Sequence, residues 1–274
     1  MEIVVADPAK NITVFVLGEA EDSEKRAETA RSLLADPRFK AEQVGFVLPP
    51  VPGNAGRRLW RLEMMGGEFC GNAARSFGLF IARETGSRGR VPVPIEISGV
   101  DTPLIVTVDT EAGRAEVEIP KPLAIDRVEA GGPESFPLVI FDGIVHAIAP
   151  DISPEETAFR RIQTAVEKRC RDLAGTKLRS HPAAIGVMFF DTASRFMTPA
   201  VYVAATDSLV FESSCGSGSA ALAAWETRSA ADGERRLEVR QPGGIIEAGI
   251  CRKNGEISHI AIGGPVRLSG KITV

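Results

Sequence analysis

Residues 67–82 read GEFCGNAARSFGLFIA, and residues 213–225 read SSCGSGSAALAAW. In each, a cysteine and a glycine are followed by small polar residues and then by an apolar run at helical spacing. The pattern predicts one helix from about Asn72 to Thr85, stopped by Gly86, and another beginning just after Cys215. Each cysteine then sits at a helix N-terminus, where unsatisfied main-chain N–H groups and the positive end of the helix dipole favour a thiolate and can hold an anion. The second run, Ala220 to Trp225, is apolar nearly all round, as expected of a helix buried inside its own domain.

Outward from these two points the chain repeats an order of elements. Short β-branched runs at EIVVA, ITVFVL (12–17), EQVGFVL (42–48), RLWRLEM (58–64), PIEIS, PLIVTVD and RAEVEI read as strands. A helix with Ala27, Ala30, Leu33 and Leu34 on one face lies between the second and third. After the proline-bracketed stretch IPKPLAIDRV, strands FPLVIFD and GIVHAIA precede a helix from about Ser153 to Ala174. Its apolar stripe is Phe159, Ile162, Val166, Cys170 and Leu173. Strands AIGVMFF and AVYVAAT, the Cys215 helix, RLEVRQ, IIEAGICR, ISHIAIG and RLSGKITV complete the chain. This predicts an α+β fold with an internal duplication, its boundary near 120–123: one domain over 1–122 and another over 123–264.

A chain of 274 residues can bury two compact cores of that size. Lys and Arg number 32 against 36 Asp and Glu, a net charge of −4 spread along the chain, which argues against a nucleic-acid or membrane-surface binder. No apolar run approaches the roughly 20 residues that span a bilayer. The start, MEIVVADPAKN, lacks the basic patch and long apolar run of a secretory signal, so a cytoplasmic enzyme is expected. The four cysteines, at 70, 170, 215 and 251, are too dispersed for a disulfide framework and form no CxxC pair, so no structural metal is expected. Glycine clusters such as MMGGEF and QPGG make neither GxGxxG nor a P-loop, so no nucleotide cofactor is implied.

Two such helix N-termini placed face to face suggest a reaction. A substrate carboxylate accepting N–H bonds around Gly71 and Asn72, and around Gly216 and Ser217, would set two sulfurs about the adjacent carbon. Removing a proton α to a carboxylate builds charge on that carboxylate, and preorganised donors stabilise it. Inverting the carbon needs a base on one face and an acid on the other, which a thiolate and a thiol supply in alternation.

At GEFCGNAARS, SSCGSGSA, EQVGFV, the strand IVHAIAP around His146, and QPGG at 241–244, the chain resembles the diaminopimelate epimerase superfamily of cofactor-independent amino-acid racemases. The resemblance implies two pseudo-symmetric domains, each a β-barrel-like sheet around a central helix, with the last strand (265–274) crossing back into the first domain. It implies Cys70 and Cys215 as the catalytic pair, Asn11 and Gln43 as substrate contacts, and Gly71, Asn72, Gly216 and Ser217 as the carboxylate cradle. His146, mid-strand among apolar residues, reads either as a satisfied core histidine or, by the resemblance, as a cleft residue polarising a thiol; no cofactor is implied. The expected partner is a small amino-acid substrate, with a homodimer left open.

Departures from the family bear on the substrate. The Glu-Arg-Gly segment that pairs with the distal carboxylate of diaminopimelate is replaced by Phe211, Glu212, Ser213 and Ser214, and an asparagine of the histidine strand is replaced by Ile144. A buried carboxylate without a charged partner costs several kcal/mol. The short loop, Glu42 before Gln43, and the SCGSG and QPGG wording look more like the histidine racemases, with Glu42 and Glu212 placed to bind an ammonium or imidazole. The expected reaction is conversion of L-histidine to D-histidine; a diaminopimelate epimerase, a proline-type racemase and a non-enzymatic ligand-binding protein are the alternatives. Cys170 reads as core packing, Cys251 as a bystander, and His181 and His259 as structural.

Overall fold

The computed structural model describes residues 1–18, 23–50, 58–131, 134–176, 178, 181–204 and 207–274. It is a mixed α+β chain dominated by strands, with four helices among the described residues. Two compact units divide it: residues 1–118 with 262–274, and residues 119–261.

In the first unit, β1 (Glu2–Asp7), β2 (Thr13–Leu17), α1 (Ser23–Ala35), β3 (Gln43–Leu48), β4 (Arg61–Met64), α2 (Gly71–Glu84), β5 (Arg90–Ile97), β6 (Leu104–Asp109) and β7 (Arg114–Glu118) follow in order. β1 pairs antiparallel with β2, β2 parallel with β3 across α1, β3 antiparallel with β4, and β4 parallel with β5 across α2. β5, β6 and β7 form an antiparallel meander against which α2 packs. α2 is buried from Asn72 to Ala82, so the apolar run that predicted it is the core of this unit.

The second unit runs β8 (Ala124–Glu129), β9 (Ser135–Ile140), β10 (Ile144–Pro150), α3 (Glu156–Leu173), β11 (Ala184–Asp191), β12 (Phe196–Val203), β13 (Ser208–Phe211), α4 (Gly216–Glu226), β14 (Gly233–Gln241) and β15 (Gly244–Lys253). β9 pairs antiparallel with β10, β10 parallel with β11 across α3, β11 antiparallel with β12, and β12 parallel with β14 across α4. β8 and β13 add antiparallel strands beside β9 and β12. The α3 stripe Phe159, Ile162, Val166, Cys170 and Leu173 is buried in a core with Val145, Ala147 and Val187. α4 packs on β9, β10, β11 and β15.

β16 (Glu256–Pro265) leads into β17 (Arg267–Leu268) and β18 (Ile272–Thr273). Both short strands lie antiparallel to β1, pairing Ala6 with Leu268 and Ile3 with Ile272.

Several boundaries differ from expectation. β8 and β13 are strands that the pattern did not mark: Asp126 and Arg127 interrupt the alternation in one, and the other has only four residues. β5 begins at Arg90, ahead of the expected PIEIS, and carries Pro92 and Pro94. Among the described residues β4 pairs with Glu96 and Ile97 of β5 and not with the prolines, so both lie where no described neighbour on that side requires their missing N–H. α3 starts at Glu156, after Pro154, rather than at Ser153.

Candidate active site: two cysteine-capped helices

Cys70 is the N-cap of α2, with φ −127° and ψ 113°, and its Sγ accepts the main-chain N–H of Ala73 at 3.4 Å. Extended backbone at the cap turns the chain into the helix, while the sulfur takes one of the N–H groups that the first turn leaves without an intrahelical acceptor. The approach to Cys70 is fixed by Ser98, whose Oγ donates to Glu68 O at 2.9 Å and accepts from Met64 N at 2.9 Å. Gly99 lies so close that a Cβ there would come within 2.3 Å of Phe69 N. The polypeptide can make this turn only with glycine at that position.

Beside Cys70 the side chains form a chain of hydrogen bonds. Arg75 Nε donates to Asn72 Oδ1 at 3.1 Å, Asn72 Nδ2 to Asn11 Oδ1 at 3.2 Å, and Asn11 Nδ2 to Glu42 Oε2 at 2.7 Å. Arg75, Asn72 and Asn11 are all buried, Arg75 completely. Asn11 reaches this place through a tight turn in which Ala9 and Lys10 hold φ of 62° and 60°, with Lys10 N–H donating to Asp7 Oδ1. Ile12 O accepts from the N–H groups of both Glu42 and Gln43, at 2.9 and 3.1 Å, anchoring those two residues at the head of β3. Gln43 Oε1 is buried and has no hydrogen-bond partner among the described residues.

The second unit presents a cap of matching geometry. Cys215 is the N-cap of α4, with φ −127° and ψ 116°, and its Sγ accepts from Gly218 N–H at 3.4 Å. Gln241 Oε1 accepts the Cys215 main-chain N–H at 2.8 Å, and Gln241 Nε2 donates to Ser219 Oγ at 2.9 Å. Ser219 Oγ in turn donates to Cys215 O at 2.7 Å, and Gly243 N–H donates to Ser213 O at 2.7 Å. Both ends of the segment carrying Cys215 are therefore tied to the turn that joins β14 to β15.

His146, in the middle of β10, is fully buried, and its Nε2 lies 2.9 Å from Ser217 Oγ. Its Nδ1 is buried without a partner among the described residues, and a buried N–H left unpaired costs more than a buried lone pair. The ring therefore carries its hydrogen on Nε2 and donates it to Ser217. Gly186, the parallel register partner of His146, makes room for the ring: a Cβ there would lie 2.2 Å from Nδ1. Ser217 Oγ is 3.5 Å from Cys215 Sγ, so its own hydrogen can point at the sulfur. Burial lowers the His146 pKa to about 3, which leaves the imidazole neutral at ordinary pH.

Burial also pushes the Cys215 thiol well above its ordinary value, reinforced by the negative charge of Glu212 and opposed by Ser217 and the Gly218 N–H. Cys215 is accordingly a protonated thiol in the free protein. Cys170, on the α3 stripe, is pushed up to about 11 by burial first and Glu167 second, and it has no role at the caps. Cys251 is half-buried, and its Sγ makes a long 3.9 Å contact to Arg252 O.

Of the residues expected from the sequence, the first unit gathers Cys70, Gly71, Asn72, Asn11, Glu42 and Gln43. The second gathers Cys215, Gly216, Ser217 and His146, with Glu212 acting on the thiol through its charge. Arg75, Gln241 and Ser219 were not anticipated as site residues. An arginine inside an apolar helical run was the available signal for the first. Among the described residues no group of three His, Cys, Asp or Glu side chains could hold a metal ion, and no helix is long and apolar enough to cross a membrane.

The model of the histidine racemase CntK N-terminal domain matches residues 1–274. A histidine racemase of Fusobacterium nucleatum is 30% identical over 281 residues, covering 100% of this chain and 97% of its own length. One from Staphylococcus aureus is 26% identical over 244 residues, covering 88% and 85%. Among solved structures, a probable proline racemase from Agrobacterium radiobacter superposes with a TM-score of 0.64 at 14% identity, covering 100% of this chain and 92% of that one. A hydroxyproline epimerase from Agrobacterium vitis gives 0.63 at 14%, covering 100% and 90%. At that identity the solved structures speak to the fold alone. The match over all 274 residues and the full-length Fusobacterium relative place the chain by sequence: it belongs to the family of the histidine racemase CntK N-terminal domain.

Proposed function

We propose that the protein is a histidine racemase that inverts the α-carbon with two cysteines and no cofactor, one sulfur taking the α-proton and the other returning a proton from the opposite side. The observation that carries this reading is the shared cap geometry of Cys70 and Cys215: the same backbone angles within 3°, and each sulfur 3.4 Å from the N–H three residues on. A cysteine repeated in that setting in both units is unlike the isolated core thiol Cys170.

In this account the first-turn N–H groups of α2 and α4, around Gly71, Asn72, Gly216 and Ser217, receive the substrate carboxylate. Charge accumulates there as the α-proton leaves, and each well-placed donor is worth about 3 kcal/mol of the barrier. Cys215, protonated at rest, is the acid when Cys70 is the base. In the reverse direction Cys215 must become a thiolate, and Ser217 Oγ, Gly218 N–H and the helix terminus are the groups that stabilise it. Glu42 takes a cationic group of the substrate, ammonium or imidazole, and Gln43 Oε1 offers a further acceptor.

The same reading includes a duplication of the diaminopimelate epimerase type, with domains over 1–122, completed by 265–274, and over 123–264. Its support is the repeated order of pairings, antiparallel, parallel, antiparallel, parallel, in β1 to β5 and again in β9 to β14. A cytoplasmic setting suits thiols that must stay reduced.

The test is α-proton exchange in deuterium oxide across free amino acids, including histidine, proline and diaminopimelate. Exchange is expected with histidine; exchange with either of the others and none with histidine would overturn the substrate assignment.

A further inference from the structure

Arg75 sits in the first turns of α2, fully buried, with Nη1 donating to Gly264 O at 3.1 Å and Pro265 O at 3.2 Å. Those two carbonyls hold the guanidinium so that Nε faces Asn72 Oδ1. A guanidinium can only donate, and an ionised carboxylate can only accept. Between Arg75 at one end and Glu42 at the other, each of the two amides has therefore one permitted orientation. Asn72 turns its oxygen to Arg75 and its nitrogen to Asn11, and Asn11 turns its oxygen to Asn72 and its nitrogen to Glu42. Reversing either amide would set oxygen against oxygen or nitrogen against nitrogen in a buried place, where an unmet polar group is costly.

We infer that Arg75 is a positioning residue for substrate binding: through the fixed sense of Asn72 and Asn11 it holds the Glu42 carboxylate in the orientation that receives the cationic group of the substrate. The inference rests on the proposed histidine racemase activity only for what Glu42 receives; the chain of orientation stands on its own. Arg75 touches no reacting atom in this account. Its influence ends at a residue that grips the substrate equally before and during proton transfer, so its loss should appear in KM.

Two measurements test it. Arg75→Lys keeps the charge but cannot serve two carbonyls and Asn72 with one planar fork. KM for histidine is expected to rise about tenfold, the effect of one charged hydrogen bond, with kcat within about threefold. A purely structural role would instead lower kcat through the active fraction and leave KM alone, and that result would overturn the inference.

The second measurement is a melting-temperature cycle that needs no activity and uses Asn72→Asp and Glu42→Gln. Asn72→Asp alone still accepts from Arg75 but has nothing to donate to Asn11, so one oxygen-to-oxygen contact must follow. Adding Glu42→Gln lets the Asn11 amide reverse, because the new side chain can donate to it. The double variant should melt about 3 °C or more above the Asn72→Asp single variant. Asn72→Asp with Glu42→Ala, which removes the carboxylate without offering a donor to Asn11, should gain less. Additive changes, or an equal gain with Glu42→Ala, overturn the fixed-sense chain even if the enzyme proves to act on another amino acid.

Discussion

His146 donates its Nε2 hydrogen to Ser217 Oγ across 2.9 Å, joining the middle of β10 to the first turn of α4. The serine hydroxyl is thereby left to face Cys215 Sγ at 3.5 Å. The imidazole acts in this arrangement as a fixed neutral donor, its pKa lowered to about 3 by burial.

That burial fixes a pH dependence. In the unfolded chain the imidazole takes up a proton as pH falls through about 6.5, whereas the folded protein does not until about pH 3. The unfolded state therefore holds more protons in this window, and stability falls with pH by up to about 1.4 kcal/mol per unit. Urea unfolding at several pH values between 6.5 and 4.5 should show a slope smaller by close to one proton in His146→Gln than in the parent. Equal slopes would mean that the ring is not held neutral.

The protonated state of Cys215 makes a second prediction. Because burial and then the Glu212 charge raise its pKa, alkylation of Cys215 by iodoacetamide should remain slow at pH 8. Glu212→Gln removes one of the groups that raise the value, so the thiolate fraction and the alkylation rate at fixed pH should both increase. Peptide mass spectrometry of the modified protein reads this directly; an unchanged or slower rate at Cys215 contradicts the assigned electrostatics.

Gln241 makes a third. Gln241→Ala strips the Cys215 N–H of its acceptor and Ser219 Oγ of a donor, both buried. Each orphaned group costs roughly 1–3 kcal/mol, so a loss of about 2–4 kcal/mol in unfolding free energy is expected in denaturant titrations. Gln241→Glu keeps the acceptor for Cys215 and should recover part of that loss. Equal stability of the alanine variant and the parent would remove Gln241 from the support of the site.

The two cysteine caps were legible in the sequence because a helix start is a local signal: a cap residue, small residues, then an apolar run. So were most strands and the α3 stripe. What escaped was non-local. Arg75 reads as a charge misplaced in an apolar helix until its acceptors appear at Gly264 and Pro265, 189 and 190 residues downstream. The grip of Gln241 on Cys215 spans 26 residues and joins a turn to a helix cap. β8 was hidden by charges within its alternation and β13 by its length of four residues. Hydrogen bonds between distant segments follow from tertiary packing, which no periodicity in a single sequence encodes.

Inversion by two bases leaves a characteristic isotope pattern at low conversion in deuterium oxide. L-histidine is incubated with the protein, and the enantiomers are separated and weighed by mass spectrometry before the reaction has advanced far. D-histidine should carry deuterium at the α-carbon while recovered L-histidine keeps its proton, because a two-base inversion delivers its proton to the face opposite the one deprotonated. The same assay should lose at least about 100-fold in rate in Cys70→Ser and in Cys215→Ser. Deuterium appearing equally in recovered L-histidine and in D-histidine, or wild-type turnover in either single variant, would rule out inversion by two cysteines.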